Sequence, residues 1–203
     1  MVVKERVTDE TAVIKRCLGG DVEAYGTLVD RYSTRIINVA LMMVGDRHEA
    51  EDIAQEAFIR AFRSLAGFKG KARFSSWLHQ IALNLCRDHL KRRARGGGPV
   101  PMAEETLEGS RDGDGEEAAD PVVYAELSET MRREISRLPY LYRESFVLRH
   151  LQGMDYAEVA SITKVPADTI RVRAYRAREM LRSRLAAAVD TYWREKSLKE
   201  KAR

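Results

Sequence analysis

Six arginines lie within fourteen residues near the C-terminal end of the sequence, opposed by a single acid, Glu179. They are Arg171, Arg173, Arg176, Arg178, Arg182 and Arg184. A guanidinium donates paired hydrogen bonds to a guanine edge and also neutralises phosphate, so an arginine-rich helix suits the major groove of duplex DNA. The alternative interpretation is a solvated helix whose basic face has no ligand.

A second basic segment lies in the middle of the chain and follows an aromatic loop, Phe-Lys-Gly-Lys-Ala-Arg-Phe, at 68–74. Its cations are Arg87, Lys91, Arg92, Arg93 and Arg95. Aromatic faces, a glycine that permits close backbone approach and nearby cations are the chemistry that holds an unstacked base or a single strand. Phe68 and Phe74 could instead be core residues at helix ends, and their spacing leaves both interpretations open.

The outer face of the segment 49–65 is a third candidate site, because it carries acids at one end and bases at the other. Its residues are Asp52, Gln55, Glu56, Ile59, Arg60 and Arg63. An apolar side chain among charges suits docking to another protein. A polar helix face is, however, more often only solvated.

Signs of catalysis or metal binding are weak. The sequence contains no glycine-rich phosphate loop, no nucleophile elbow and no paired His-Glu zinc pattern. His79, Cys86 and His89 share one predicted helix, but no second group of ligands accompanies them. We therefore expect no catalytic centre, no metal and no other cofactor.

The two cysteines and the distribution of apolar residues indicate in which cellular compartment the protein works. Two cysteines are too few for a disulfide framework and fit a reducing environment. No apolar run approaches the roughly 18 residues that a membrane span needs, and the N-terminal residues lack the core of a signal peptide. The sequence predicts a cytoplasmic protein with no membrane insertion of its own.

An acidic segment divides the chain. The net charge is +4, but residues 96–120 hold eight acids and one base, a charge of −7, so the remainder carries +11. This Gly- and Pro-rich segment is predicted to be a flexible linker, and the basic remainder indicates a polyanionic partner such as nucleic acid. The predicted organisation is an N-terminal domain at 8–95, the linker at 96–120, a C-terminal domain at 121–190 and a basic tail at 191–203.

The N-terminal domain is predicted to be a helical bundle. In the segment 49–65 the apolar residues recur every three or four positions, which is typical of one buried helical stripe. Asp46 is the predicted N-cap of this helix, and Ser75 or Ser76 that of the last one. About four helices are expected, at 10–18, 25–43, 49–65 and 77–90.

The C-terminal domain is also predicted to be helical, with helices at 122–137, 140–150, 156–162 and 167–185. Asp155 and Glu158 form a capping box that opens the third of them. Residues 164–166 form a tight turn before the arginine-rich helix. Two helices joined in this way are the helix-turn-helix pattern, and the predicted fold class is all-α, with two small helical domains.

Three stretches, taken together and in order, match the pattern of one family. They are 48–62 (HEAEDIAQEAFIRAF), 74–88 (FSSWLHQIALNLCRD), and 155–160 (DYAEVA) followed by 169–178 (TIRVRAYRAR). They resemble, respectively, the core-polymerase-binding helix, the promoter-melting segment and the C-terminal helix-turn-helix of bacterial sigma-70 family factors. With two domains and a short linker, the chain resembles the small extracytoplasmic-function (ECF) group.

The resemblance implies a function and partners. A factor of this group binds core RNA polymerase, directs it to promoters and melts the −10 element, and an anti-sigma factor is an expected partner. The domain at 8–95 would be sigma region 2, and the domain at 121–190 would be sigma region 4.

The resemblance also implies roles for three sets of residues. Core polymerase binding is implied for Asp52, Gln55, Glu56, Ile59, Arg60 and Arg63. Binding of the −10 element is implied for Phe68, Lys69, Lys71, Arg73, Phe74, Trp77, Asn84, Arg87, Lys91, Arg92 and Arg93. Binding of the −35 element is implied for Thr169, Arg171, Val172, Arg173, Tyr175, Arg176 and Arg178.

Two positions depart from the family pattern. Asp168 precedes Thr169 where a glycine is usual, and Val172 occupies a position that is often serine. An acid near phosphates and an apolar contact in place of a hydroxyl both alter the expected −35 sequence.

Two other functions remain open from the residues alone. An operator-binding helix-turn-helix regulator would act without core polymerase and would bind duplex DNA tightly by itself. An interaction protein whose basic faces bind RNA or an acidic protein would show no preference for promoter sequence.

Overall fold

The computed structural model describes the backbone of residues 2–68, 70, 72–96 and 123–201, with side chains for 10–68, 70, 72–96 and 130–186. Lys69, Lys71 and nearly all of the predicted linker lie outside the described residues. Every regular element described is helical, and no strand occurs among these residues, which confirms the predicted fold class. None of the helices described is both long and apolar enough to cross a membrane.

The chain forms two compact units, and the first contains the N-terminal helices. They are α1 (Val2–Leu18), α2 (Val22–Val44), α3 (Arg47–Ser64), a 3₁₀ turn (Leu65–Gly67) and α4 (Phe74–Arg95). Helix α1 begins at Val2, eight residues before its predicted start at Glu10. The predicted four-helix bundle is thus confirmed, with a longer first helix.

The core of the first unit is the set of apolar stripes that the sequence predicts. Leu28, Ile36 and Met43 of α2 are fully buried, as are Ala57 of α3 and Leu78 of α4. Full burial of one such leucine or isoleucine contributes about 1.5–3 kcal/mol, so these stripes hold the three helices together.

One predicted helix N-cap in this unit is confirmed, and the other is wrong. Asp46 caps α3 as predicted, since its Oδ1 accepts the backbone N–H of Glu49 at 2.9 Å, and this bond holds the pKa of the Asp46 carboxyl below its usual range. The predicted Ser75 or Ser76 cap of α4 is wrong. That helix begins earlier, at Phe74, whose ring is buried in the core, and Arg73 precedes it without a side-chain cap.

Two buried tyrosines give the first unit a dependence on alkaline pH. Burial raises the pKa of Tyr25, and burial beside Glu10 raises the pKa of Tyr32 to about 12. Both phenols therefore keep their protons to higher pH when folded, so their stabilisation is complete below about pH 10 and is lost as the pH rises towards 12.

We expect the melting temperature of the wild-type protein to fall more steeply between pH 10 and 12 than that of a Tyr25→Phe/Tyr32→Phe variant. Thermal melting monitored by circular dichroism at a series of pH values measures the two slopes. Parallel curves would contradict this role of the phenols.

The second unit contains α5 (Val123–Ser136), α6 (Tyr140–Phe146), the start of α7 (Tyr156–Thr163) and α8 (Ala167–Lys201). Helix α6 widens into a π-helical turn, Val147–Leu151, so the helix predicted at 140–150 is confirmed with a changed last turn. Helix α8 continues well past its predicted end at Leu185 and includes most of the predicted tail. Residues 186–201 contain no Gly or Pro, so nothing in their composition interrupts the helix.

The turn between α7 and α8 confirms the predicted helix-turn-helix. Asp155 caps α7 by accepting the N–H of Glu158 at 2.7 Å. Lys164 then adopts the left-handed conformation, with φ 61° and ψ 33°, and its N–H donates to the carbonyl of Ala160. This closes α7 and directs the chain into α8.

A buried arginine fixes the end of α5. The Arg143 side chain is only 3% exposed. Its Nε and Nη2 donate to the carbonyl of Leu138 at 3.2 and 2.8 Å, and Nη2 also donates to the carbonyl of Ser136. Carbonyls at a helix C-terminus have no partner within the helix, so this guanidinium supplies the missing donors.

Candidate nucleic-acid interface and docking groove

Helix α8 presents its arginines from a well-packed core stripe. Ile170, Ala174, Ala177 and Leu181 are buried, as their spacing predicts. The exposed or half-buried positions among the predicted −35 set are Thr169, Arg171, Val172, Tyr175, Arg176 and Arg178. The surface of α8 around its first three turns is therefore rich in guanidinium groups.

Arg173, also in the predicted −35 set, is buried and does not lie on this exposed surface. Its exposed fraction is 6%. Position 173 lies three residues after Ile170 and four before Ala177, so the helical repeat places it beside the buried stripe. The long aliphatic part of an arginine can pack against a core in this way.

Arg171 is held at the start of α8 by two neighbours. Its Nη1 lies 2.8 Å from Oδ1 of Asp168, and its guanidinium carbon lies 5.3 Å from the centre of the Tyr156 ring. Arg149, in the π-helical turn, lies 4.9 Å from the centre of the same ring. Two cations thus stand beside one aromatic ring, a favourable cation–π arrangement that concentrates positive charge there.

Two further arginines on α8 also contact aromatic side chains. The guanidinium carbon of Arg178 lies 5.6 Å from the ring centre of Tyr175. Arg176 donates from Nη1 to the hydroxyl of Tyr142 at 3.5 Å. These contacts limit the freedom of both side chains without burying their charges.

The aromatic loop forms a cluster of tilted and edge-to-face rings at the start of α4. The ring of Phe68 lies 5.0 Å from Trp77 and 5.9 Å from Phe74, and Phe74 lies 5.7 Å from Trp77. Phe68 and Trp77 are half-buried, whereas Phe74 is 1% exposed and also contacts Tyr32. The structure thus favours the core interpretation for Phe74 and leaves two rings with accessible surface.

The loop around this cluster is shaped by one glycine. Gly70 has φ 65°, a conformation that residues with a Cβ rarely adopt, and it is exposed together with Arg73. Lys69 and Lys71, on either side of it, lie outside the described residues.

A basic strip continues from this cluster along α4. At 100° per residue, Trp77, Asn84, Arg87, Lys91 and Arg95 fall on one face of the helix. Arg87 donates to Oδ1 of Asn84 at 3.3 Å, and Lys91 and Arg95 are exposed. The face therefore runs from aromatic rings to cations.

Arg93 points away from this strip, and Arg92 lies at its edge. The Nη1 of Arg93 lies 3.5 Å from Oε2 of Glu49, and Nε2 of His89 lies 3.1 Å from the same oxygen. These three residues connect the first turn of α3 to the end of α4. Arg93 is half-exposed, and it forms this ion pair with an acid of its own unit.

An apolar groove of about 660 Å³ lies between α2 and α3. Its walls include Val22, Tyr25, Phe58, Ile59 and Phe62. Val22 is 66% exposed, Phe62 40% and Ile59 37%. Phe62, which the sequence places in the buried stripe, is therefore a surface residue of this groove.

The predicted docking face of α3 borders the groove. Gln55 and Arg63 line it, and Asp52 is exposed on the same side of the helix. Glu56 and Arg60, one turn apart, form an ion pair at 2.6 Å. Exposed apolar walls flanked by charges are the arrangement expected of a protein interface.

Comparison with known proteins identifies the family to which this chain belongs. The family Sigma-70 region 2 matches residues 28–96, and the family Sigma-70, region 4 matches residues 128–181. The ECF RNA polymerase sigma factor SigW of Bacillus subtilis (strain 168) is 35% identical over 193 residues, which cover 91% of this chain and 97% of that protein. The chain is an ECF sigma factor. It directs RNA polymerase to promoters, and the operator-binding alternative is not favoured.

Solved structures agree with the fold of this sigma factor. CnrH, in complex with the cytosolic domain of CnrY, superposes with a TM-score of 0.66 at 23% identity, covering 88% of this chain and 98% of that one. RpoE of Bartonella quintana, in complex with the anti-sigma factor NepR, gives a TM-score of 0.63 at 20% identity, with coverages of 81% and 98%. Both show that the helical architecture is shared.

Two features of the sigma factor surfaces were not predicted from the sequence. Arg149 was not singled out, because one arginine in a helix has no pattern of its own. The α2 wall of the groove, with Val22 and Tyr25, was also missed. The periodicity of α2 marks Tyr25 as core, and it is indeed buried, with its hydroxyl donating to the carbonyl of Phe58 at 2.8 Å.

Proposed function

We propose that the three surfaces of this sigma factor divide promoter recognition and opening among them. The domain at 8–95 acts as region 2 and binds both core polymerase and the −10 element. The domain at 121–190 acts as region 4 and reads the −35 element through α8. The segment 96–120 connects them, and the basic residues of 191–203 add non-specific attraction to DNA.

Polymerase docking is proposed for the groove and for the face of α3 beside it. The observation that carries this proposal is the exposure of Val22, Ile59 and Phe62 in one groove, next to Asp52 and Gln55. A partner that covers these apolar side chains removes them from water, at roughly 25 cal/mol for each Å² buried. The charged border then selects a partner with complementary charges.

Capture of the −10 element is proposed for Phe68 and Trp77 together with the basic strip of α4. Unstacking a base costs a few kcal/mol per step, and stacking on an aromatic side chain returns about 1–3 kcal/mol per base. Asn84, Arg87 and Lys91 follow the rings and suit the backbone of the displaced strand. Binding energy thus drives melting, and the phosphodiester chemistry belongs to the polymerase, so we assign this chain no catalytic centre.

An anti-sigma factor is proposed as a second partner, and the cytoplasm as the place of action. An inhibitor that covers the apolar groove would exclude polymerase by occupying the same surface. CnrH and RpoE, which share the fold, were both solved with a protein partner. Because the proposed polymerase partner works on chromosomal DNA, the factor must share its compartment.

Replacing Asp52 and Gln55 together with alanine is expected to abolish promoter-specific transcripts made by core polymerase and this protein. Both side chains lie on the docking face. The losses of binding free energy at the two positions add, and each 1.4 kcal/mol weakens the binding constant about tenfold. Run-off transcription from genomic promoter fragments, with co-elution of factor and core enzyme, measures both steps.

The matched control is an Arg31→Ala/Arg35→Ala variant, which removes two exposed side chains on the other side of α2 from the groove. It should leave polymerase binding unchanged. An Asp52→Ala/Gln55→Ala variant that still co-elutes and transcribes would contradict the docking face. If the wild-type protein gave no transcripts and did not bind core enzyme, an operator-binding regulator would be favoured.

A further inference from the structure

Asp168 lies in the first turn of the helix proposed to enter the DNA groove. Its side chain is 89% exposed, and its carboxylate lies on a surface otherwise rich in guanidinium groups. Such a charge suits the positive N-terminal end of a helix, but it repels phosphate. Its contact with Arg171 indicates a further role.

Arg171 is held by the carboxylate through one nitrogen only. Its Nη1 bonds to Oδ1 of Asp168 at 2.8 Å, and its guanidinium carbon lies 5.3 Å from the centre of the Tyr156 ring. Within the side chains that the structure describes, Nε and Nη2 of Arg171 have no other hydrogen-bond partner. The edge formed by these two nitrogens can donate to both the O6 and the N7 acceptor of guanine.

We propose that Asp168 is a specificity-determining residue that positions Arg171 for a guanine in the −35 element. The proposal rests on the function proposed above, that α8 reads duplex DNA. The carboxylate and the Tyr156 ring hold the guanidinium before DNA arrives, so less side-chain freedom is lost when the base is bound. The same carboxylate weakens contacts with phosphate, which every sequence offers equally.

This role differs from a contribution to folding. An exposed ion pair three residues apart on one helix contributes little to stability, so its loss should leave the fold intact. Its effect should instead be seen in the choice of base. Removing the carboxylate should lower the preference for guanine at one promoter position and raise the affinity for unrelated duplex DNA.

A promoter library with a randomised −35 region tests the proposal, using core polymerase and the full-length protein. The variants are Asp168→Asn, Arg171→Ala, and Glu179→Gln as a control that removes another exposed acid of α8. Arg171→Ala identifies the position at which the guanine preference is lost. At that position Asp168→Asn should lower the preference about fivefold, while Glu179→Gln leaves it unchanged. Binding of unrelated duplex DNA by the free protein should rise about twofold in Asp168→Asn.

The outcomes separate this inference from the function on which it rests. If Arg171→Ala removes a guanine preference that Asp168→Asn retains in full, the role of Asp168 is wrong and the −35 function stands. An equal loss in Glu179→Gln would show a general charge effect and would also overturn the inference. If the wild-type protein shows no base preference in the library, both proposals fail. Equal melting temperatures of the variants establish that folding is unchanged.

Discussion

Replacing Trp77 with alanine is expected to slow promoter opening about 10- to 100-fold, because base stacking on one aromatic ring contributes roughly 1–3 kcal/mol. The Trp77 ring is half-buried, lies 5.0 Å from Phe68, and begins the basic strip of α4. Its removal leaves the cations of the strip in place but takes away the ring that is proposed to stack on the captured base. Permanganate reactivity of unpaired thymines in the −10 element measures the extent of opening.

A template that is already unpaired at the −10 element provides the decisive comparison. On it the Trp77→Ala protein should transcribe at nearly the wild-type level, since the cost of unstacking has been removed. Trp77→Phe keeps a ring against Phe68 and should open duplex promoters with only a small loss. If Trp77→Ala failed equally on both templates, Trp77 would serve polymerase docking or folding, and strand capture would be the wrong role.

Replacing Arg143 with methionine is expected to lower the free energy of unfolding of the second unit by about 3 kcal/mol. The carbonyls of Ser136 and Leu138 would lose their buried donors, and methionine supplies volume but no hydrogen bond. Hydrogen exchange of the amides in α5 and α6 measures the loss. The amides of α2, in the other unit, provide an internal reference.

Two variants separate this effect from a simple loss of charge. Arg182→Met removes an exposed arginine of α8 and should change exchange in the second unit by less than about 1 kcal/mol. Arg143→Lys keeps the charge but cannot donate in the same fork, so an intermediate loss is expected. Unchanged exchange in α5 and α6 of Arg143→Met would show that the two carbonyls find other partners.

Much of the fold was predictable because it depends on local patterns. The three-four spacing around Leu28, Ala57 and Ile170 identifies buried helix faces, and Asp46 and Asp155 mark two helix starts. The helix-turn-helix follows from the same local signals. These features need no knowledge of which helices pack together.

The features that could not be predicted depend on contacts between helices. Phe62 continues an apolar stripe, yet Tyr25 of α2 covers only part of its ring, and the 40% that stays exposed lines the groove. Arg173 and Arg93 belong to basic runs, but packing buries the first and an acid from α3 approaches the second. The sequence around Arg143 gives no sign of its role, because that role depends on the carbonyls at the end of α5 that it contacts.

The turn before α8 also determines which substitutions its central residue, Lys164, can tolerate during evolution. Lys164 holds a left-handed conformation that costs an ordinary residue about 1 kcal/mol, so the bonds of α7 and the packing of α8 impose the turn, not the lysine itself. Asparagine or glycine would adopt the same angles with less strain, and most other residues would bear the cost that lysine already bears. Substitution of the residue in the turn can therefore accumulate over evolution while the direction in which α8 leaves the turn is retained.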